Sequence, residues 1–368
     1  MHGRWIRRAW ERKGFSGKIA WLFLLPFSCL FFIGVQLRNF LYRADWLRAV
    51  ALEQPVISIG NLTVGGTGKT PSCLWLAEEL IKRGLKVAIL SRGHKGNVTA
   101  PLILTPKANG SSVSQSEDDV AAAGDEPFMM ARLHGQTVGI GKERYQSAQE
   151  LLRKQEVDVF ILDDGFQHRK LKRDVDLVLL GSDCTGWVLP SGPFREPRTA
   201  VRRADYLLLT GAQANWKQLV DSVSTGACFT ASLEPVALVG FESKVWKEYP
   251  LSLLYRSRIL AVTGIGNPDG FYRMIRDCEG EIADILEFPD HHAYSSADWQ
   301  QINRAARDID LIVTTEKDIV KLVRFPFAKD KFLALRVAIK VENGELLVAA
   351  MLERIQKKNY RPEPVLRG

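Results

Sequence analysis

Thr63-Val64-Gly65-Gly66-Thr67-Gly68-Lys69-Thr70 follows a short apolar run, PVISIG, and opens a helical stretch, SCLWLAEELIKRG. A strand, a glycine-rich turn and a helix start in that order favour a bound polyphosphate. The glycines let backbone N–H groups approach the anion, and the helix N-terminus attracts it. Lys69 then reaches the terminal phosphates, and the Thr70 hydroxyl ligates magnesium. Thr63 stands where the strict form of such a loop has its first glycine. The loop needs an acid at the end of a neighbouring strand to complete a metal site, and VDVFILDDG supplies Asp163 and Asp164. Two adjacent carboxylates closing a buried strand are costly without a cation. One is expected to hold Mg2+ and the other to orient a catalytic group.

The acceptor side of a transfer reaction has weaker candidates. Asp125 in GDEP is suited to take a proton from an acceptor hydroxyl, although an isolated Asp-Glu-Pro is more often a helix start. His291 and His292 in FPDHH end an apolar run, where an imidazole can face a reacting group or simply lie at the surface. Arg144 in GKER and Arg195-Glu196 in PSGPFREP are charges able to meet a transferring phosphate or a metal. Taken singly, each is an ordinary solvated charge.

Elements able to position these groups alternate along the chain. PVISIG (55–60), KVAILS (86–91), VDVFILDD (157–164), DVDLVLLG (174–181) and ADYLLLTG (204–211) are mostly apolar throughout, as parallel strands buried on both faces should be. They predict an α/β fold with a P-loop NTPase-like, doubly wound core. The pattern blurs around Phe229–Trp246 and restarts with RILAVTGI (258–265), EIADILEF (281–288), a helix after Ser295 and DLIVTT (310–315), read as a smaller C-terminal α/β lobe. The interval from Pro106 to Asp125 reads as a long polar surface loop.

Ahead of this body, Ile19–Leu37 is a run of 19 uncharged residues, which as a helix extends roughly 28 Å at about 1.5 Å per residue. No small-residue cleavage site follows it, so it reads as an N-terminal hydrophobic membrane-anchor helix. Arg4, Arg7, Arg8, Arg12, Lys13 and Lys18 precede it and Arg38, Arg43 and Arg48 follow. With both flanks basic, a helix bent at Pro26 and lying in one leaflet keeps every cation near anionic headgroups, and that placement is preferred to a crossing. The expected division is an anchor over 1–40, a kinase-like core over 41–230 and the smaller lobe over 231–368.

The net charge of +8 calls for an anionic partner, yet much of the excess sits beside the apolar run and no basic–aromatic motif for nucleic acid is present. Five cysteines without a C-x-x-C pair exclude a disulfide scaffold and a structural zinc site. The residues alone leave two enzymatic readings: a phosphotransferase, and a membrane-bound P-loop ATPase driving assembly of a partner.

An ordered set of motifs separates them: Asn61-x-Thr63-Val64-Gly65-Gly66-x-Gly68-Lys69-Thr70-Pro71, Ser91-Arg92-Gly93, Gly124-Asp125-Glu126-Pro127, Asp163-Asp164-Gly165-Phe166-Gln167-His168, Leu189-Pro190-x-Gly192-Pro193-x-Arg195-Glu196 and Phe288-Pro289-Asp290-His291-His292. Together they resemble the tetraacyldisaccharide 4′-kinases of lipid A biosynthesis over nearly the whole chain. The resemblance implies transfer of the ATP γ-phosphate to the 4′-hydroxyl of a tetraacyldisaccharide 1-phosphate, at the cytoplasmic face of the inner membrane of a Gram-negative bacterium. Its implied partners are the lipid A disaccharide precursor and the membrane surface, with no nucleic acid and no protein partner. It assigns Thr63 through Thr70 to ATP, Asp125 to the base role with His291 tuning it, and Asp163 and Asp164 to the metal and to orienting that dyad. Arg144 would stabilise the transferring phosphoryl group, and Glu196 would approach the metal beside Thr70 and Asp163. His94-Lys95 departs from the family's usual Tyr-Gly after Ser91-Arg92-Gly93.

Overall fold

A computed structural model describes residues 10, 12–93, 100–106, 123–181, 186–210, 216, 220, 227–243, 245–328 and 331–359. His94-Lys95, most of the 106–125 interval and Arg4, Arg7 and Arg8 lie outside the described residues. Along the chain run α1 (Gly14–Arg43), β1 (Val56–Asn61), α2 (Lys69–Lys82), β2 (Val87–Ser91), β3 (Leu102–Leu104), α3 (Asp125–Arg132), β4 (Val138–Ile140), α4 (Arg144–Lys154), β5 (Val159–Asp163) and β6 (Val175–Leu180). They are followed by β7 (Tyr206–Leu209), β8 (Ala227–Glu242), β9 (Val245–Tyr249), β10 (Arg258–Thr263), α5 (Asp269–Asp277), β11 (Glu281–Glu287), α6 (Ser296–Ala305), β12 (Leu311–Thr315), α7 (Glu316–Leu322), β13 (Phe332–Val341) and α8 (Gly344–Asn359). The chain is α/β, as its alternating apolar runs require.

Two compact units emerge. One comprises Met1–Val87, Glu156–Ser232 and Lys340–Gly368; the other comprises Ala88–Gln155 and Leu233–Ile339. The sequence division kept 88–155 with the phosphate loop, whereas the contacts group that segment with the C-terminal strands. The reason lies in α3, which packs on α7 and joins two segments far apart in sequence.

In the first unit β1 is central, with β5 on one side and β6, β7 and the start of β8 on the other, all parallel. The residues of β1, β5 and β6 are buried throughout, which explains why these strands read as unbroken apolar runs. Helix α2 covers β1 and β5, and α8 packs on α2 and β6.

The second unit contains the parallel strands β11-β10-β12-β13 in that order. It also holds β2 parallel to β4, and β4 antiparallel to β3. The stretch around Phe229–Trp246, blurred in sequence, is the 16-residue strand β8, whose end folds back antiparallel onto β9. Its outer residues alternate between partial and full exposure and only Ala237–Gly240 are buried, so no continuous apolar run marks it.

Helix α1 runs continuously through Pro26 for 30 residues. It is long and apolar enough to cross a membrane, yet only 17% of its most apolar window is buried. Gly17, Ser28, Val35 and Asn39 form the stripe that meets the body, while Phe23, Phe27, Leu30 and Ile33 are exposed. A soluble core helix hides its apolar surface; this one presents it outward.

Candidate active site

The phosphate loop leaves β1 and enters α2 at Lys69. Gly65 and Gly68 adopt positive φ values of 118° and 84°, backbone conformations that glycine reaches without strain and that anion-binding turns use. No side chain caps the N-terminus of α2, so its first N–H groups keep their capacity for an anion. Neighbouring segments brace the loop. Asn61 Nδ2 donates to Thr67 Oγ1 at 2.9 Å, Thr210 Oγ1 donates to the Thr67 carbonyl at 3.0 Å, and the Val64 N–H donates to the Pro193 carbonyl at 2.9 Å. Thr63, in place of the usual first glycine, forms an antiparallel bridge with Phe194. A residue paired in this way has no need of glycine's conformational freedom.

Lys69 is 15% exposed at its side chain, with Nζ 3.8 Å from Asp164 Oδ1. Asp164 sits in the left-handed region at φ 51°, and Arg195 Nη1 donates to its two oxygens at 2.8 and 2.7 Å. Asp163, at the buried end of β5, accepts from the Cys73 thiol at 3.6 Å, and Thr70 is buried at the start of α2. Hydroxyl and carboxylate oxygens suit a small hard cation such as Mg2+. A Mg2+ held by Thr70 and Asp163 would leave its remaining coordination positions to nucleotide phosphates and water. The donor set fits the ion.

Glu196, expected to approach the metal, sits here among cations. It is fully buried, with Oε1 accepting from Arg38 at 2.9 Å and Oε2 accepting from Asn39 at 3.1 Å and lying 2.8 Å from Arg203 Nη2. Both oxygens are engaged by cations or amide N–H groups, so here the carboxylate ties the end of α1 to the body. Ser28 adds a second tie, its Oγ donating to Ser191 Oγ at 2.7 Å and accepting from the Ser191 N–H at 2.8 Å. Phe32 stacks on Trp187 with ring centroids 5.9 Å apart.

The second unit brings together Asp125 and His291. Asp125 opens α3, and His291 follows β11 in the left-handed region at φ 58°. His291 Nδ1 lies 2.8 Å from Asp125 Oδ2 and 3.1 Å from Oδ1. Burial works to raise the Asp125 pKa, but the His291 hydrogen bond and the charges of His291, Lys321 and Lys317 outweigh it and hold the carboxyl at about 2. The hydrogen bond to Asp125 raises the His291 pKa against the opposing effect of burial. His292 is committed elsewhere: it stacks on Phe288 at 5.0 Å, and its Nε2 lies 3.1 Å from Asp298, the acid of the α6 capping box. Arg144, also in this unit, is buried at the start of α4 with Nη1 donating to the Lys142 carbonyl at 3.1 Å.

Sequence reasoning named the phosphate loop, the strand-end acids, Arg195 and the Asp125–His291 pair. It missed Lys321 and Asp318 beside that pair, and the Arg38, Asn39 and Arg203 ties on Glu196. Within TTEKDIVK only the spacing of Asp318 and Lys321, three apart on a helix, offered a signal.

Comparison with known proteins gives one answer. The family model for tetraacyldisaccharide-1-P 4′-kinase (LpxK) matches residues 20–356. A tetraacyldisaccharide 4′-kinase of Syntrophus aciditrophicus is 37% identical over 374 residues, covering 94% of this chain and 98% of the relative. One from Anaeromyxobacter sp. strain K is 35% identical, covering 97% of each. The crystal structure of the "apo" form of LpxK from Aquifex aeolicus in complex with ATP is 34% identical, covers 90% of this chain and 98% of its own, and superposes with a TM-score of 0.73.

Proposed function

We propose, from the premise that this chain belongs to the tetraacyldisaccharide-1-P 4′-kinase family, that its phosphate loop receives the phosphate donor and Asp125 serves the acceptor hydroxyl. The chain is an ATP-dependent, Mg2+-using kinase that phosphorylates the 4′-hydroxyl of a tetraacyldisaccharide 1-phosphate, a lipid A precursor. In the first unit, Thr63 through Thr70 cradle the nucleotide, and Lys69 neutralises charge on the terminal phosphates. Thr70 and Asp163 hold the magnesium ion, whose chemistry is to offset charge on the phosphate oxygens. Asp164, fixed between Lys69 and Arg195, keeps that lysine in place. Glu196 joins the metal only by giving up Arg38 and Arg203.

In the second unit, Asp125 takes the proton of the acceptor hydroxyl as the new O–P bond forms and the β–γ bridge breaks, its electron pair leaving with ADP. A carboxylate held near pKa 2 is a weak base. That suffices here, because phosphoryl transfer passes through a loose transition state in which little proton transfer is needed early. His291 shares the charge on Asp125, and Arg144 steadies the transferring group. The observation that carries this assignment is the Asp125–His291 contact at 2.8 Å between residues 166 apart in sequence.

Helix α1 lies in the inner membrane from its cytoplasmic face, where ATP is available. An acceptor with four acyl chains is held in the bilayer by about 0.8 kcal/mol per buried methylene, so the enzyme must go to it. Arg12, Lys13 and Lys18 then face anionic headgroups. Transfer of labelled γ-phosphate from ATP to purified tetraacyldisaccharide 1-phosphate in detergent micelles tests the assignment. Parent activity together with its loss in D125N supports the base role, and an unaffected D125N removes it. ATP turnover equally fast without acceptor would instead favour the ATPase reading.

A further inference from the structure

Behind the Asp125–His291 pair lies a third charged group. Lys321, on the last turn of α7, has Nζ 3.6 Å from Asp125 Oδ2 and 3.1 Å from Asp318 Oδ1, with its side chain 11% exposed. The ammonium also lies 5.4 Å above the ring of Tyr294, which is itself buried. A lysine so enclosed is set between two carboxylates and over an aromatic face, held by charge and not by a hydrogen bond to either acid. Asp318 is completely buried and is anchored in turn, accepting from the Gly264 N–H at 2.9 Å and from the Thr315 hydroxyl at 2.7 Å.

The same glycine reaches the histidine, since the Gly264 carbonyl accepts from the His291 N–H at 3.0 Å. A Cβ at Gly264 would lie 3.0 Å from both Asp318 Oδ1 and the Tyr294 hydroxyl, so any larger residue would have to push one of them aside. Helix α7 is thus wired to the pair twice, through Lys321 to the carboxylate and through Asp318 and Gly264 to the backbone that carries the imidazole.

We infer that Lys321 is a positioning residue for the kinase reaction, holding Asp125 ionised and turned toward His291 whether or not that imidazole is protonated. The inference rests on Asp125 being the base. Two cations compete for one carboxylate. With Lys321 present, the charge on Asp125 is balanced while His291 is neutral, and a neutral imidazole leaves Asp125 a stronger base than an imidazolium would. Without Lys321, Asp125 and Asp318 each lose a counter-charge, His291 becomes the principal counter-charge of Asp125, and its proton is held to higher pH. Among the described residues, the charged and titratable groups around Asp125 and His291 are Lys321, Lys317, Glu126, Asp290, Asp318 and Tyr294.

The test uses the full chain in micelles with ATP, Mg2+ and the lipid acceptor, comparing the parent with K321M, K321Q, K321R and D125N. For K321M we expect kcat to fall about 10- to 100-fold at neutral pH. The low-pH limb of its rate profile should move up by about one pH unit, with KM for ATP unchanged. K321R, which restores the charge, should recover most of both changes. If K321M does not fold, K321Q is read in its place. A parent-like profile in K321M or K321Q overturns the inference, and so does a loss of rate that leaves the limb in place and is not recovered by arginine. An inactive D125N beside a normal K321M sinks the role of Lys321 alone. An active D125N sinks the base assignment and this inference with it.

Discussion

The phosphate loop and the Asp125–His291 pair are built in contrasting ways. The loop is a run of consecutive residues whose positive-φ glycines and uncapped helix start keep backbone N–H groups available to a ligand. The pair joins residues 166 apart, mostly buried and already bonded to one another. One region is preorganised by backbone conformation and the other by tertiary contacts. A functional residue in left-handed backbone belongs to each region: Asp164, which meets Lys69 from the end of β5, at φ 51°, and His291 at φ 58°. A loop of the first kind depends on its local sequence, whereas a pair of the second kind fails when any of several packed elements shifts.

The contrast can be broken experimentally. Lys69→Ala leaves the loop's backbone intact but removes its one charged side chain, and it should lower phosphoryl transfer by roughly 10³-fold or more. A loss confined to KM for ATP would mean that the backbone alone supplies the catalysis. Asp125→Asn should cost roughly 10²- to 10⁴-fold in kcat with nucleotide affinity intact, and His291→Asn less, because it leaves the carboxylate in place. Equal losses in the two variants would show that they act as one inseparable unit. Glu196→Gln keeps the shape of the α1 tie but leaves Arg38 and Arg203 without a counter-charge. Because both arginines are partly exposed, a destabilisation of about 1–3 kcal/mol is expected in thermal melts, with ATP affinity unchanged. A weakened ATP affinity would instead return Glu196 to the metal.

The smallest effect concerns pH. His291 has a raised folded pKa, so its contribution to stability is fully present below the unfolded value of 6.5 and is lost as pH rises through the folded value. Asp125, lowered from 3.8 to about 2, contributes above 3.8 and loses that contribution as pH falls toward 2. The melting-temperature gap between the parent and D125N should therefore be widest between 3.8 and 6.5 and should narrow on both sides. A gap independent of pH would mean that the pair contributes packing and little charge.

These contrasts also explain what the sequence could reveal. Strands β1, β5 and β6, buried on both faces, announced themselves as apolar runs, and the phosphate loop was legible because its chemistry is written in adjacent residues. Strands β3 and β4, three residues each, were too short to show a period. Asp125 and His291 stood out only as members of a motif set, since nothing local says that α3 packs on α7. Lys321 was silent for the same reason, a lysine on a helix being ordinary until Asp125 is folded against it. Arg195 reaches Asp164, while Glu196 beside it meets Arg38 and Arg203, contacts across the fold that no local pattern in PSGPFREP announces.

Helix α1 has one more consequence. With its exposed phenylalanines and leucines in lipid, as proposed, enzyme and acceptor share a surface, and they meet by diffusion in two dimensions. The quantity that sets turnover is then the mole fraction of acceptor in that surface, not its concentration in the surrounding volume. Adding inert detergent or lipid at fixed acceptor should slow the enzyme by dilution alone, while adding buffer should not.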